Sequence, residues 1–232
     1  MSNWALIVAA GKSERFDDPL PKQFHEVAGR PLLSWTIEKF ELASLIDKIA
    51  VVVAADYQLE TSEKIIDPYS FGKVVKVVGG GESRRESVLI GLEALPESTK
   101  VVAIHDGVRA LVAPDDIDKV VNLALAEKAA MLALPATDTV KKVKSHSIVE
   151  TLDRSQIWLA QTPQAFVYEL ILDAHRKFAE NLKGTNATDD ASLVEALGVE
   201  VKVVESSSMN LKVTTAADLK YAEIVLGARE HA

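Results

Sequence analysis

The tract Ala9-Ala10-Gly11-Lys12-Ser13-Glu14-Arg15 sets small residues directly ahead of cations, and Pro21-Lys22-Gln23 follows a few residues later. Small side chains leave backbone amides open, so an anion can approach and accept several N–H bonds while Arg15 and Lys22 neutralise its charge. Polyphosphate binding is the chemistry this pattern would serve. Gly11-Lys12-Ser13 resembles the tail of a Walker A loop, but the position five residues before Gly11 holds Leu6 instead of glycine, so that reading fails. A dinucleotide fingerprint fails as well, because no G-x-G-x-x-G follows. An ordinary strand-to-helix turn would have the same composition.

A second tract, Gly79-Gly80-Gly81, precedes Glu82, Arg84, Arg85 and Ser87. Glycines there permit close backbone approach to a flat ligand such as a base, though a plain turn would accept them equally. The third tract is His105-Asp106-Gly107-Val108-Arg109. An Asp where a strand ends can meet Mg²⁺ or a hydroxyl, or merely cap its own turn. Asp153-Arg154 and Lys212 add later cations, a residue type that is most often solvated. No Ser-His-Asp order stands out, and the dispersed histidines form no H-x-x-x-H pair, which argues against a zinc site.

These tracts need a scaffold that places them together. Residues 4–9, 49–54, 74–78, 101–104, 131–134 and 199–204 are apolar and β-branched nearly throughout, as strands covered on both faces must be. Helical spacing is expected over 31–42, 57–66, 85–95, 114–128, 168–179, 190–197 and 216–226. Such alternation predicts a doubly wound α/β fold with a mostly parallel sheet and 4–9 as a central strand. In that architecture ligands bind beyond the carboxyl ends of the strands, where the three tracts would lie. Residues 137–159 break the rhythm. Two alternating segments, 139–143 and 148–152, flank Lys144-Ser145-His146 and read as a β-hairpin or arm outside the sheet, or as a solvated loop. One domain spanning 1–232 with this arm is the expected organisation.

Composition narrows the function classes. The chain has 232 residues, 48% of them hydrophobic, and no cysteine, which excludes disulfide scaffolds and thiolate chemistry and fits a reducing compartment. With 34 acidic against 26 basic residues, the net charge of −8 argues against non-specific binding to nucleic acid or membrane. No apolar run reaches membrane-spanning length, and the opening Met1-Ser2-Asn3-Trp4 lacks the basic start of a signal peptide. The expected location is the cytoplasm.

Taken in order, Ala9-Ala10-Gly11…Arg15, Pro21-Lys22-Gln23, Gly80-Gly81…Arg84…Ser87-Val88, His105-Asp106…Arg109, Asp138-Thr139-Val140-Lys141, Asp153-Arg154, Thr162-Pro163-Gln164, Thr188-Asp189-Asp190-Ala191-Ser192 and Lys212-Val213-Thr214 run nearly end to end. In this the chain resembles the 2-C-methyl-D-erythritol 4-phosphate cytidylyltransferases of the non-mevalonate isoprenoid pathway. The resemblance implies a Rossmann-like nucleotidyltransferase that joins CTP to a sugar-alcohol phosphate and releases pyrophosphate. It further implies that Ala10, Gly11, Gly81, Glu82 and Ser87 hold cytosine and ribose, and that Arg15 and Lys22 stabilise the transition state. Thr139, Arg154 and Lys212 would position the acceptor phosphate. Asp106 and Arg109 would line the same pocket, with Mg²⁺ on the triphosphate and Asp106 as its one possible direct ligand. A homodimer in which the arm at 137–159 reaches the neighbouring subunit is also implied.

There are departures: Ser13 stands where the family usually has glycine, and Gly107-Val108-Arg109-Ala110 replaces a small residue, Ala, Arg, Pro. The valine is also similar to ribitol-5-phosphate cytidylyltransferases, whose loop usually carries a glycine where Ala10 stands. A non-catalytic nucleotide-binding relative is the third reading.

Overall fold

In the computed structural model, which describes residues 1–11, 20–181 and 188–230, the central element is a seven-stranded sheet. Its strands are β1 (Ser2–Ala9), β4 (Lys48–Val53), β5 (Val74–Gly79), β6 (Thr99–Asp106), β7 (Ala129–Pro135), β10 (Trp158–Val167) and β11 (Lys202–Glu205). Two short strands, β2 (Glu26–Val27) and β3 (Arg30–Pro31), form a separate ribbon, and β8 (Lys141–Lys144) pairs with β9 (Ser147–Thr151). The order across the large sheet is β11-β7-β10-β6-β1-β4-β5. Pairing is parallel except at β10, which runs antiparallel to both β6 and β7.

β1 is an interior strand, as its apolar run predicts, and its alternation serves two cores. Ala5, Ile7 and Ala9 pack with Leu33, Ile37 and Phe40 of α1 (Leu32–Leu42) and with Ile117, Val120 and Val121 of α4 (Pro114–Glu127). Trp4, Leu6 and Val8 face the other side, against α3 (Arg84–Glu93), α5 (Tyr168–Asn181) and α6 (Asp190–Glu195). Each side is closed by helices, which is why no polar residue interrupts residues 4–9. A third cluster joins Leu226 of α7 (Ala216–Glu230) to Trp35 and Val108, tying the last helix to the rim of the sheet.

Three expectations need correction. The helix expected at 57–66 is broken into a turn, a four-residue α2 (Gln58–Thr61) and a wide turn at Ser62–Ile66. Thr61 and Ser62 donate their hydroxyls to the carbonyls four residues back, and such back-bonding bends a helix. The last strand is Lys202–Glu205 rather than 199–204; Val199 and Val201 pack on the core instead of pairing. Finally, β10 is missing from the expected strands, and Trp158 and Leu159 open it instead of ending the arm. Pro163 argues against a central strand, and the sheet takes it at an irregularity between Ala160 and Gln164 where the β7 register shifts.

Candidate active site

The carboxyl ends of β1, β5 and β6 open into one cleft of about 410 Å³. Ala10, Gly11, Lys22, Gly81, Glu82, Arg84, Ser87, Asp106 and Lys212 are among the residues that line it. Gly80 is fixed by space: a Cβ there would lie 2.7 Å from both the Cβ of Ala10 and the Oγ of Ser87. The glycine tract thus brings the β5 end against the β1 end, leaving a narrow slot. Ser87 holds that slot, accepting from the Gly81 amide at 3.1 Å and donating to the Gly81 carbonyl at 3.3 Å. Ser83 caps α3 by accepting from the Glu86 amide at 3.1 Å, while the Glu86 carboxylate accepts from the Glu82 amide at 2.8 Å. The cap orients the first turn of α3, so Arg84 and Ser87, three residues apart, both face the cleft.

Lys22 sits on a short turn, Lys22–Phe24, whose position depends on its neighbour. The buried Gln23 donates its amide to the Ala9 carbonyl at 2.6 Å, clamping the turn to the end of β1.

Asp106 ends β6 as the centre of a charge cluster. Its Oδ1 accepts from Arg84 Nε at 3.0 Å, and its Oδ2 lies 2.8 Å from Lys212 Nζ and 3.6 Å from Arg109 Nε. Burial works to raise its pKa, but Arg84, Lys212 and Arg109 outweigh that and hold the carboxyl well below the usual range. Arg84 also donates to the fully buried Asp190 at 2.9 Å, and Asp190 accepts from His175 at 3.1 Å. Desolvation disfavours the charge on Arg84, yet Asp190 and Asp106 together push its pKa above the ordinary guanidinium value. An anionic carboxylate ringed by three cations is a preorganised surplus of positive charge, suited to a ligand bearing several phosphates.

The 2-C-methyl-D-erythritol 4-phosphate cytidylyltransferase (IspD) family profile matches residues 4–228. The chain belongs to that family. It is 41% identical over 227 residues to the 2-C-methyl-D-erythritol 4-phosphate cytidylyltransferase of Pelotomaculum thermopropionicum, covering 97% of this chain and 94% of that one. It is 44% identical over 224 residues to the bifunctional enzyme IspD/IspF of Desulforudis audaxviator; that alignment covers 96% of this chain but 56% of the longer protein. Its fold is similar to the crystal structure of 4-diphosphocytidyl-2C-methyl-D-erythritol synthase from Anaerococcus prevotii, with a TM-score of 0.84, 30% identity and coverage of 97% and 96% of the two chains. This chain is accordingly a transferase of the cytidylyltransferase type.

Against the cytidylyltransferase expectations, the cleft collects Ala10, Gly11, Lys22, Gly81, Glu82, Ser87, Asp106 and Lys212. Arg109 does not line it. Its guanidinium is drawn aside by Asp106 and by the Asn210 carbonyl, to which it donates at 2.7 Å. Thr139 and Arg154, within the arm, are exposed and do not line the cleft, and Arg154 donates to the Thr137 carbonyl at 2.6 Å. Arg15 lies outside the described residues. Sequence reasoning assigned no role to Arg84, Gln23 or Asp190. The S-x-x-E cap pattern at Ser83–Glu86 was the signal that would have aimed Arg84 at the site.

Proposed function

We propose that this chain transfers the cytidylyl group of CTP to 2-C-methyl-D-erythritol 4-phosphate, giving the CDP-alcohol and pyrophosphate. The observation that carries the reading is the Asp106 cluster, which holds Arg84 and Lys212 at the wall of a slot that would take a flat base, with Arg109 behind them. An acceptor phosphate oxygen attacks the α-phosphorus of CTP. The bond from the α-phosphorus to its bridging oxygen breaks, and pyrophosphate leaves with that electron pair. The nucleophile is already anionic, so no general base is required, and the barrier is the approach of two anions. Cations held in place before the reaction lower that barrier.

In this reading Ala10, Gly11, Gly81, Glu82 and Ser87 hold cytosine and ribose. Lys22, with Arg15, stabilises charge at the α-phosphate, and Lys212 exchanges part of its bond to Asp106 for the acceptor phosphate. Thr139 and Arg154 complete the acceptor site from a second subunit, whose arm crosses over as a homodimer. Val143, Ile148 and Val149 of the hairpin are 56%, 66% and 58% exposed, an apolar surface that such an arm would bury.

A protein-held Mg²⁺ does not fit the described residues: both Asp106 oxygens are committed, and no cluster of three or more His, Cys, Asp or Glu side chains is available among them. Mg²⁺ is therefore proposed to arrive on the triphosphate of CTP. We place the protein in the cytoplasm, in keeping with its lack of cysteine; among the described residues no helix is long and apolar enough to cross a membrane.

The test is pyrophosphate release from CTP with each acceptor. Release with methylerythritol phosphate and little with ribitol 5-phosphate is the expected result. The reverse preference would assign the chain to the ribitol enzymes, and release with neither would leave a nucleotide-binding protein.

A further inference from the structure

His105 lies beneath the cleft, fully buried against Phe40, with ring centroids 4.8 Å apart, and takes no part in the transfer described above. Each of its ring nitrogens nonetheless has a partner. Nδ1 is 3.1 Å from Thr162 Oγ1, and Nε2 is 3.2 Å from the Arg109 carbonyl. Thr162 Oγ1 also accepts from the Asp106 amide at 3.1 Å. The proton directions follow from what each group can do. A carbonyl only accepts, so Nε2 carries hydrogen and donates to Arg109. Burial disfavours a charged ring, so with hydrogen on Nε2 the Nδ1 is bare, and the Thr162 hydroxyl, which accepts from the Asp106 amide, donates its own proton to it. The neutral, Nε2-protonated ring satisfies all three bonds without placing a charge in the core.

The chain of bonds then closes on itself. Arg109 Nη1 donates to the Asn210 carbonyl at 2.7 Å, and Asn210 Nδ2 donates back to the Thr162 carbonyl at 2.9 Å. The ring runs Thr162, His105, Arg109, Asn210 and back to Thr162, with Asp106 tied to it through its amide. It joins the end of β6, the irregular part of β10 and the segment that carries Lys212. The first carries Asp106 with Arg109 just beyond it, the last carries Lys212, and β10 links them through Thr162; Thr162, His105 and Asn210 are all buried. A second bond from Asn210 Nδ2, to Gln161 Oε1 at 2.8 Å, holds the amide in place.

We propose that Thr162 and His105 are positioning residues for cytidylyl transfer, acting through the hydrogen-bond ring that sets Asp106, Arg109 and Lys212 relative to one another. This rests on the functional reading above, in which Lys212, held by Asp106, receives the acceptor phosphate. Neither positioning residue touches substrate. Thr162 supplies a hydroxyl that accepts and donates at once, which valine, of the same shape, cannot do. Serine can.

The test compares Thr162→Val and Thr162→Ser with the unaltered chain, measuring kcat, CTP affinity and thermal midpoint. Thr162→Val is expected to lower kcat by about 10- to 100-fold, the scale of a misplacement approaching 1 Å, with CTP affinity within about threefold. Thr162→Ser should recover most of the rate. Valine at full kcat with only a lowered thermal midpoint, or serine as slow as valine, would overturn the proposal. A measurement on the unaltered protein guards against a variant that does not fold: the side-chain nitrogen shifts of His105 should report a neutral, Nε2-protonated ring. An Nδ1-protonated ring would break the ring of bonds and the proposal with it. If the unaltered chain releases no pyrophosphate with either acceptor, the functional reading falls, while the nitrogen shifts still decide whether the ring exists.

Discussion

The Asp106 cluster and the β8–β9 hairpin are built on opposite principles. Around Asp106, a buried carboxylate and three half-buried cations are mutually bonded and held from three segments. Along the hairpin, every residue of β8 and β9 is exposed, and Arg154 just beyond it meets only local chain in the contacts seen. A cation bonded to a buried carboxylate is ordered before a ligand arrives; a fully exposed one loses side-chain freedom on binding and is screened by water. A single chain therefore presents the charges of its cleft already in place, whereas its hairpin carries the marks of a part that works against something else.

The largest effect should come from the preordered side. Lys22→Ala is expected to lower kcat by about 100- to 1000-fold, by analogy with losing one preorganised donor, with a smaller change in CTP affinity. Steady-state rates with CTP binding measured separately would check this. Unchanged kcat with a raised KM would make Lys22 a ground-state contact and weaken the contrast. Lys212→Ala should leave Asp106 paired with Arg84 and Arg109, so the fold survives while use of the sugar-alcohol phosphate falls.

The contrast is sharpest in a mixing experiment. Arg154→Ala should resemble Lys212→Ala, impairing use of the acceptor by about 100-fold while CTP binding persists. If the hairpin serves a neighbour, a heterodimer of the two variants assembles one site with both residues intact, so mixing should restore part of the activity. No recovery after verified subunit exchange would put both residues in one subunit's site. A milder disturbance, Ile148→Glu, places charge on the 66% exposed apolar face of the hairpin. It should weaken self-association by about 10-fold or more, seen by sedimentation, without lowering the thermal midpoint of the core.

The same contrast explains what could be read from sequence. β1 was legible because both of its faces are buried, which forces an uninterrupted apolar run. The hairpin was legible because two segments alternate at the period of a strand on either side of the polar Lys144-Ser145-His146. β10 was hidden because its irregular centre admits Pro163, and no local rule distinguishes such a strand from a loop. The small-residue tracts gave the cleft its walls, and the resemblance gave them roles. The direction of Arg109 was beyond reach, since it depends on a carbonyl 101 residues away in sequence. The ring through Thr162 and His105 likewise joins residues 57 apart, and nothing in either residue's neighbours announces it.

The smallest expected effect also separates the two regions, because acid should act on the buried cluster first. Burial holds His105 neutral and lowers its pKa from 6.5 to about 3, with Asp106 raising it and Arg109 lowering it to lesser degrees. The unfolded chain takes up this proton before the folded one does. Stability from His105 is thus complete above about pH 6.5 and declines as pH falls toward 3, by at most about 1.4 kcal/mol per pH unit. Asp106 adds in the same direction at lower pH, since its folded pKa also lies below the ordinary value. Urea midpoints measured from pH 7 down to pH 4 should fall for the unaltered chain. His105→Gln, which has no proton to gain, should start lower and fall less. Parallel lines for the two proteins would show that His105 does not couple acid to unfolding, and would remove the buried cluster's claim to be the more acid-sensitive region.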